Sequence, residues 1–327
     1  MNRGKVKDIA FPDHQEYIYT IDEILKMDSG EFSWIAEDFI AENGITLLSA
    51  PPASFKTWLS LELGSCISRG IPFLGRKTKA SNVLYIDKEN QKQVQQIYLK
   101  KLGLTGNPSL SIWPQWANKV PPPAFPDSLY VKLAKQYKPV MIFDSLIRFF
   151  GKDINENTAT DMSKVFTFLR SLTNAGATIL VLHHSGKSEG SEYRGSSDIK
   201  GAVDLAYTIK REDNRTLILK CIKSRYNEEV DIKVGIVSDQ SRLIFEDISD
   251  ELASEAAEEE NIKLSNIRSI IMNLEKPTQS EIVKAAKKKL TLSRKPILSL
   301  LKKGTGHYWT SENCGKGKPT YYQALSL

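Results

Sequence analysis

The 327-residue chain is poor in cysteine, has no long apolar run, and lacks two glycines where one of its loops would ordinarily carry them. Its three cysteines, Cys66, Cys221 and Cys314, are odd in number and far apart. That argues against a disulfide framework or a zinc site and predicts reduced thiols in a cytosol. No apolar stretch is long enough to span a bilayer. The opening MNRGKVKDIAFPDHQ has no apolar core of the kind a secretory signal needs. The expectation is a cytoplasmic protein with no membrane partner. What is present is ordinary for a globular protein: 41% hydrophobic and 26% charged residues, at a length that suits a moderate domain and a smaller one.

Charge is spread unevenly. The whole chain is +6, but residues 261–327 hold 13 Lys/Arg against 3 Asp/Glu, a net of +10, which leaves −4 for residues 1–260. Between them lies EDISDELASEAAEEE (246–260), with eight acids and no base. Such a run is a solvated linker or the exposed start of a helix. It is taken as the domain boundary, giving a leader at 1–30, a domain at 31–245, an acidic linker at 246–260 and a basic domain at 261–327.

The missing glycines concern ITLLSAPPASFKT (45–57), a hydrophobic run, a turn and Lys-Thr at a helix start. That is the layout of a phosphate-binding loop, in which backbone N–H groups wrap the phosphates, the lysine adds charge and the hydroxyl holds Mg²⁺. Ala50, Pro51, Pro52, Ala53, Ser54, Phe55, Lys56 and Thr57 are the candidate nucleotide-binding residues. On the pattern G-x-x-x-x-G-K-S/T, Ala50 and Phe55 occupy the glycine positions. Alanine costs little if its φ is negative, whereas a bulky residue suits a left-handed backbone poorly. An incidental strand–turn–helix is the plain alternative.

From Ile45 onward strand-like and helix-like stretches alternate. Strands are predicted at 45–50, 82–87, 110–114, 139–144, 177–184, 205–212, 216–224, 231–239 and 241–247. Helices are predicted at 21–27, 56–69, 90–102, 126–137 and 158–175. The early strands are continuous apolar runs, as in a parallel sheet covered by helices on both faces, and the later ones follow one another as an antiparallel meander. The fold class is therefore α/β, a mostly parallel sheet flanked by helices, with ligands expected beyond the carboxyl ends of the strands.

Those ends carry the polar residues. PVMIFD closes on Asp144, an acid costly to bury without a partner such as a Mg²⁺-bound nucleotide. NVLYIDKEN offers Glu89 to polarise or position a water for attack on a γ-phosphate, with Asp87 in support; a dipole-stabilising helix acid is the alternative. LVLHHSGK places His183 and His184 where a polar side chain senses the γ-phosphate. Adjacent histidines on a strand face opposite ways, which makes a zinc pair a poor rival. The glycine-rich 185–201 stretch, with Lys187, Arg194 and Lys200, suits a polynucleotide backbone or is simply a long loop. Lys223 and Arg225 alternate at a strand end, either as a pair for surface acids or as an arginine finger for a neighbour's triphosphate.

In order, APPASFKTWLSLELG, VLYIDKEN, VMIFDSL, ILVLHHSGK, YRGSSDIKGAVDLAYTI and KSRYNEE resemble the motif series of RecA-like ATPases, most closely the hexameric replicative helicases related to plasmid RepA and bacterial DnaB. The similarity runs from about Phe32 to Phe245. It implies ATP and Mg²⁺ as ligands, Lys56 and Thr57 as the Walker A pair, and Asp144 as the Walker B acid. It also implies Glu89 as catalytic glutamate, His184 or His183 as sensor, Lys223 and Arg225 as a finger in trans, and a DNA-contacting loop around Arg194.

Residues 261–327 read as three short helices followed by two strands around CGKGK, the order of a winged helix. SRKPILSLLKK is its recognition helix, with Ser293, Arg294 and Lys295 near the start, and Lys316 and Lys318 lie on the wing. The excess of cations suits DNA phosphates; a protein-contact role is the alternative. The aromatics Tyr308, Trp309, Tyr321 and Tyr322 are expected in the core of the strands. The combined expectation is an ATP-dependent DNA helicase or translocase, a homo-oligomer and by resemblance a hexamer, serving replication of a plasmid, phage or other mobile element. Its alternatives are an ATP-gated DNA-binding regulator or loader without motor activity, and a scaffold with vestigial residues.

Overall fold

The computed structural model describes residues 19–27, 32–106, 109–152, 154–184, 198–227, 229–238, 242–313, 315 and 318–325. They form two compact units, one of residues 1–210 with 220–230, the other of 211–219 with 231–327.

The first unit begins with a short helix, α1 (Ile21–Lys26), whose start is fixed by a reciprocal Thr20–Glu23 capping box. A small hairpin, β1 (Trp34–Ala36) and β2 (Ile40–Ala41), precedes the first sheet strand, β3 (Ile45–Ala50). Then come α2 (Lys56–Arg69), β4 (Val83–Asp87), α3 (Lys92–Lys101), β5 (Leu110–Pro114) and α4 (Ser128–Tyr137). They are followed by β6 (Val140–Asp144), α5 (Ala159–Asn174), β7 (Thr178–His184), α6 (Asp198–Ala202), β8 (Leu205–Arg211) and β9 (Thr216–Ser224). The strand order is β9-β8-β3-β7-β6-β4-β5, and every pair from β8 to β5 is parallel. All residues of β3 and β6 are buried, as two covered faces require. One face carries Met141, Phe143 and Val181 against Tyr130 of α4 and Phe166 and Leu169 of α5. This is an α/β fold of RecA-like type, as the alternation of runs predicts.

The second unit holds β10 (Ile232–Ser238) and β11 (Leu243–Asp247), an antiparallel pair, with β10 also antiparallel to Thr216–Leu219 of β9. After it come α7 (Ser249–Asn273), α8 (Gln279–Leu290), α9 (Arg294–Gly304), β12 (Trp309–Asn313) and β13 (Thr320–Ala324), the last two an antiparallel hairpin. Leu264, Ile267, Ile271, Ile282, Ile297, Leu301 and Trp309 make its core. Trp309 and Tyr322 are buried, and Tyr308 and Tyr321 are half-buried, in line with a role in packing.

The structure decides one reading of the sequence and changes two others. Of the two readings of the acidic run, linker or exposed start of a helix, the second holds from Ser249, where it is the first half of α7, continuous with the helix expected to begin near residue 261. The units part near residues 211 and 231, so β10 and β11 group with the basic segment. The β1–β2 hairpin was not anticipated, because strands of three and two residues show no periodicity. Among the described residues no helix is long and apolar enough to cross a membrane.

Candidate functional site

In the register of the parallel strands, Ala50 pairs with His184 and Asp87 with Asp144. The ends of β3 and β7 are thus level with each other, as are those of β4 and β6, while Phe143 pairs with Val181, so that His184 reaches two residues beyond Asp144 to the mouth of one cleft. Its walls include Pro51–Trp58, Glu89, Asn90, Tyr98 and His184, around a volume of ≈ 380 Å³.

The loop between β3 and α2 has the backbone of a phosphate cradle without its glycines. Ala50 ends the strand and has no positive φ, but Ala53 (φ 59°) and Phe55 (φ 62°) are both left-handed. Phe55 thus adopts the conformation for which glycine is ordinarily used, at a cost of about 1–2 kcal/mol. The Ser54 hydroxyl donates to the Pro51 carbonyl (2.5 Å), tying the turn, and the first turn of α2 carries no acid. The first N–H groups of a helix have no intrahelical partner, and Lys56, Thr57 and Trp58 line the cleft, so this helix start suits an anion.

Lys56 is 7% exposed, and its Nζ lies 3.4 Å from the His183 carbonyl and 3.3 Å from His184 Nδ1. Burial lowers its pKa, while Asp144 and Glu89 oppose that. An ammonium only donates, so His184 Nδ1 accepts and the ring N–H sits on Nε2, 3.5 Å from Glu89 Oε1. His184 thus touches both the cradle lysine and the candidate catalytic acid. His183, one residue earlier, is buried on the opposite side of the strand.

The His184 hydrogen bond, aided by Lys56 and opposed by burial, holds the Glu89 carboxyl down at about 2. So acidic a group is a weak base and stays an anion. Glu89 Oε2 is buried without a hydrogen-bond partner among the described residues. Asp87 works through the backbone instead. Its carboxylate accepts from Glu89 N, Asn90 N, Asn90 Nδ2 and Gln95 Nε2, fixing the loop that carries Glu89.

Asp144 is fully buried. Its Oδ2 accepts from Thr57 Oγ1 (2.9 Å) and Tyr85 OH (2.8 Å), and Tyr85 OH is 3.0 Å from Ser60 Oγ. Burial pushes its pKa up to about 6 against the pull of Lys56. Its Oδ1 has no partner among the described residues. An orphaned carboxylate oxygen beside a hydroxyl fits a hard divalent cation, so Thr57 and Asp144 are the residues that would hold Mg²⁺. Bound there, Mg²⁺ supplies charge compensation for phosphate oxygens.

Tyr85, Ser60, Asn90, Gln95, Trp58 and Tyr98 are site residues that the sequence reading misses. Tyr85 was the findable one, the single hydroxyl inside an apolar strand one turn of the pleat from Asp87. The Trp58 and Tyr98 rings, with centroids 4.1 Å apart, line the cleft beside Asn90, a pairing between two helices that no local pattern announces.

The remaining expected residues lie elsewhere. Lys223 Nζ donates to the carbonyls of Lys200 (2.6 Å) and Gly201 (3.1 Å), and Arg225 Nη2 to Gly201 O (3.2 Å). Arg225 is also 3.4 Å from Asp204, which Arg170 grips through two hydrogen bonds. Both cations therefore project to one side of the end of β9, and neither lines the cleft of their own chain. Lys200 is half-buried in α6. Arg294 and Lys295 are exposed in the first turn of α9, and Lys318 is exposed before β13. Lys187, Arg194 and Lys316 are outside the described residues.

No curated protein matches the chain. A family model described as an AAA domain matches residues 21–190, more than half of the sequence and all of the cleft just described. A domain of this kind is a P-loop ATPase, with nucleotide and usually Mg²⁺ as its ligands. The chain belongs to the AAA domain family.

Proposed function

We propose that the chain is an ATP-driven DNA helicase or translocase that works as a ring-shaped homo-oligomer, a hexamer by its resemblance, in replication of a plasmid, phage or other mobile element. One observation carries the motor reading: His184 bridges Lys56, the phosphate-cradle cation, and Glu89, the water-orienting acid. A phosphate on Lys56 competes for the contact His184 makes, so nucleotide state alters the hold on Glu89. Turnover then proceeds with Lys56 and the α2 N-terminus on the phosphates, Glu89 aligning the water, and Arg225 of a neighbouring copy stabilising the transferring phosphoryl group. The placement of Lys223 and Arg225 outside their own cleft is what a role in trans requires.

The second unit supports a DNA partner. Its α7–α8–α9–hairpin order is that of a winged helix, and the net charge of +10 over residues 261–327 suits duplex phosphates. Arg294 and Lys295 open the candidate recognition helix. The left-handed Ala53 and Phe55 favour a second reading, an ATP-gated DNA-binding regulator or loader that binds nucleotide without useful turnover. ATPase rates with and without single-stranded DNA separate the two. Stimulation is the expected result for a motor; nucleotide binding with no stimulated turnover replaces it with the switch. Lys56→Ala should abolish hydrolysis while leaving the fold and DNA binding by the second unit intact, and normal turnover in that variant would remove the mechanism.

A further inference from the structure

The carboxyl end of β5 carries a feature that the ATPase site does not use. Beyond Pro114 the chain makes a closed turn, with Trp113 Nε1 donating to the Val120 carbonyl (2.8 Å) and Ala117 N to the Pro114 carbonyl (3.1 Å). Trp113 is spent on holding the turn. Trp116, at its tip, is 38% exposed, and Lys92 Nζ lies 5.5 Å from the centre of its ring. Tryptophan is mostly buried in folded proteins, so an indole held out on a rigid turn with a cation over its face asks for an occupant.

Charge narrows the choice. From Lys88 to Pro126 the sequence has five lysines, Lys88, Lys92, Lys100, Lys101 and Lys119, and one acid, Glu89, which is turned toward His184. An aromatic face with a lysine over it, in a segment richer in lysine than in acid, is the chemistry that takes an unpaired base and its phosphates. The turn is also tied to the catalytic loop. Gln115 N donates to the Asp87 carbonyl (2.7 Å) and Gln115 Nε2 to the Asn90 carbonyl (3.2 Å), while the Asp87 carboxylate accepts from Glu89 N.

We propose that the Gln115–Val120 turn, with Trp116, Lys92 and Lys119, is a stacking platform for single-stranded polynucleotide, linked through Gln115 to the loop that aims Glu89. This rests on the reading of the chain as a DNA-stimulated ATPase, adding a contact point and a route by which the strand reaches the water-orienting acid. Base stacking on one aromatic side chain predicts a loss of at least about fivefold in affinity when it is removed.

The test uses the full chain and a fluorescein-labelled oligothymidylate, followed by anisotropy, together with ATPase rates. Trp116→Ala should weaken oligothymidylate binding at least about fivefold and lose most of the stimulation, with turnover in the absence of DNA unchanged. Trp116→Phe, which keeps a ring, should stay within about twofold, and Lys92→Gln should lower the slope of log affinity against log salt by about one. Equal affinity and stimulation in Trp116→Ala and the parent would overturn the platform while leaving the DNA-stimulated ATPase standing. A parent chain that neither binds oligothymidylate nor responds to it would overturn both.

Discussion

Phe55 occupies a left-handed position that costs a bulky residue about 1–2 kcal/mol. The Phe55→Gly chain should therefore bind ATP at least as tightly as the parent in calorimetry; weaker binding would assign the ring a contact with the nucleotide. Asp144 makes a pH prediction. Folded, it keeps its proton up to about 6; in the unfolded chain the value is the ordinary 3.8. Between these values the native state binds more protons than the unfolded one, so stability without nucleotide falls as pH rises from about 4 to about 6. Asp144→Asn should flatten that slope, raise the melting temperature above pH 6 and abolish hydrolysis, as thermal scans and phosphate release would read. That Lys56, Thr57, Glu89 and Asp144 would come close together was legible because each stands at or just beyond the end of a recognisable run. Tyr85, Gln95 and Asn90 were not, since their meaning lies in partners three to 59 residues away.

At the level of elements, most strands and helices could be read because apolar runs and caps agree with each other. Thr278 and Glu281 form a reciprocal capping box at the start of α8. The first half of α7 could not be read that way. Its six acids suit solvated chain or an exposed helix start equally, and what makes the segment helical is its continuity with Leu264, Ile267 and Ile271, which pack in the core of the second unit. The end of α9 carries a sharper constraint. A Cβ on Gly304 would run into the Trp309 ring at Cζ2, and the Trp309 indole N–H is fixed to the Leu301 carbonyl at 3.0 Å. Gly304→Ala should destabilise the second unit by roughly 1–3 kcal/mol. Duplex binding should be lost at temperatures where the first unit still binds ATP.

At the scale of the whole molecule, the proposed division of labour between Lys56 and Arg225 is the testable matter. If the finger acts in trans, a subunit with Lys56→Ala still lends Arg225 to a neighbour, and one with Arg225→Ala still holds a complete cradle. Mixing the two inactive proteins should restore measurable ATP turnover; no recovery at any ratio would confine Arg225 to its own chain. Oligomer state and partner were expected from charge and resemblance alone, because no local pattern of residues encodes either. The register of β7 against β3, with His184 opposite Ala50, has a last consequence. Alternating side chains mean that sliding β7 by one residue would hand His184's post to His183 and bury the imidazole that Glu89 and Lys56 share. One residue inserted inside β7 would therefore part His184 from both Lys56 and Glu89, whereas one inserted in an exposed connection would leave that register alone.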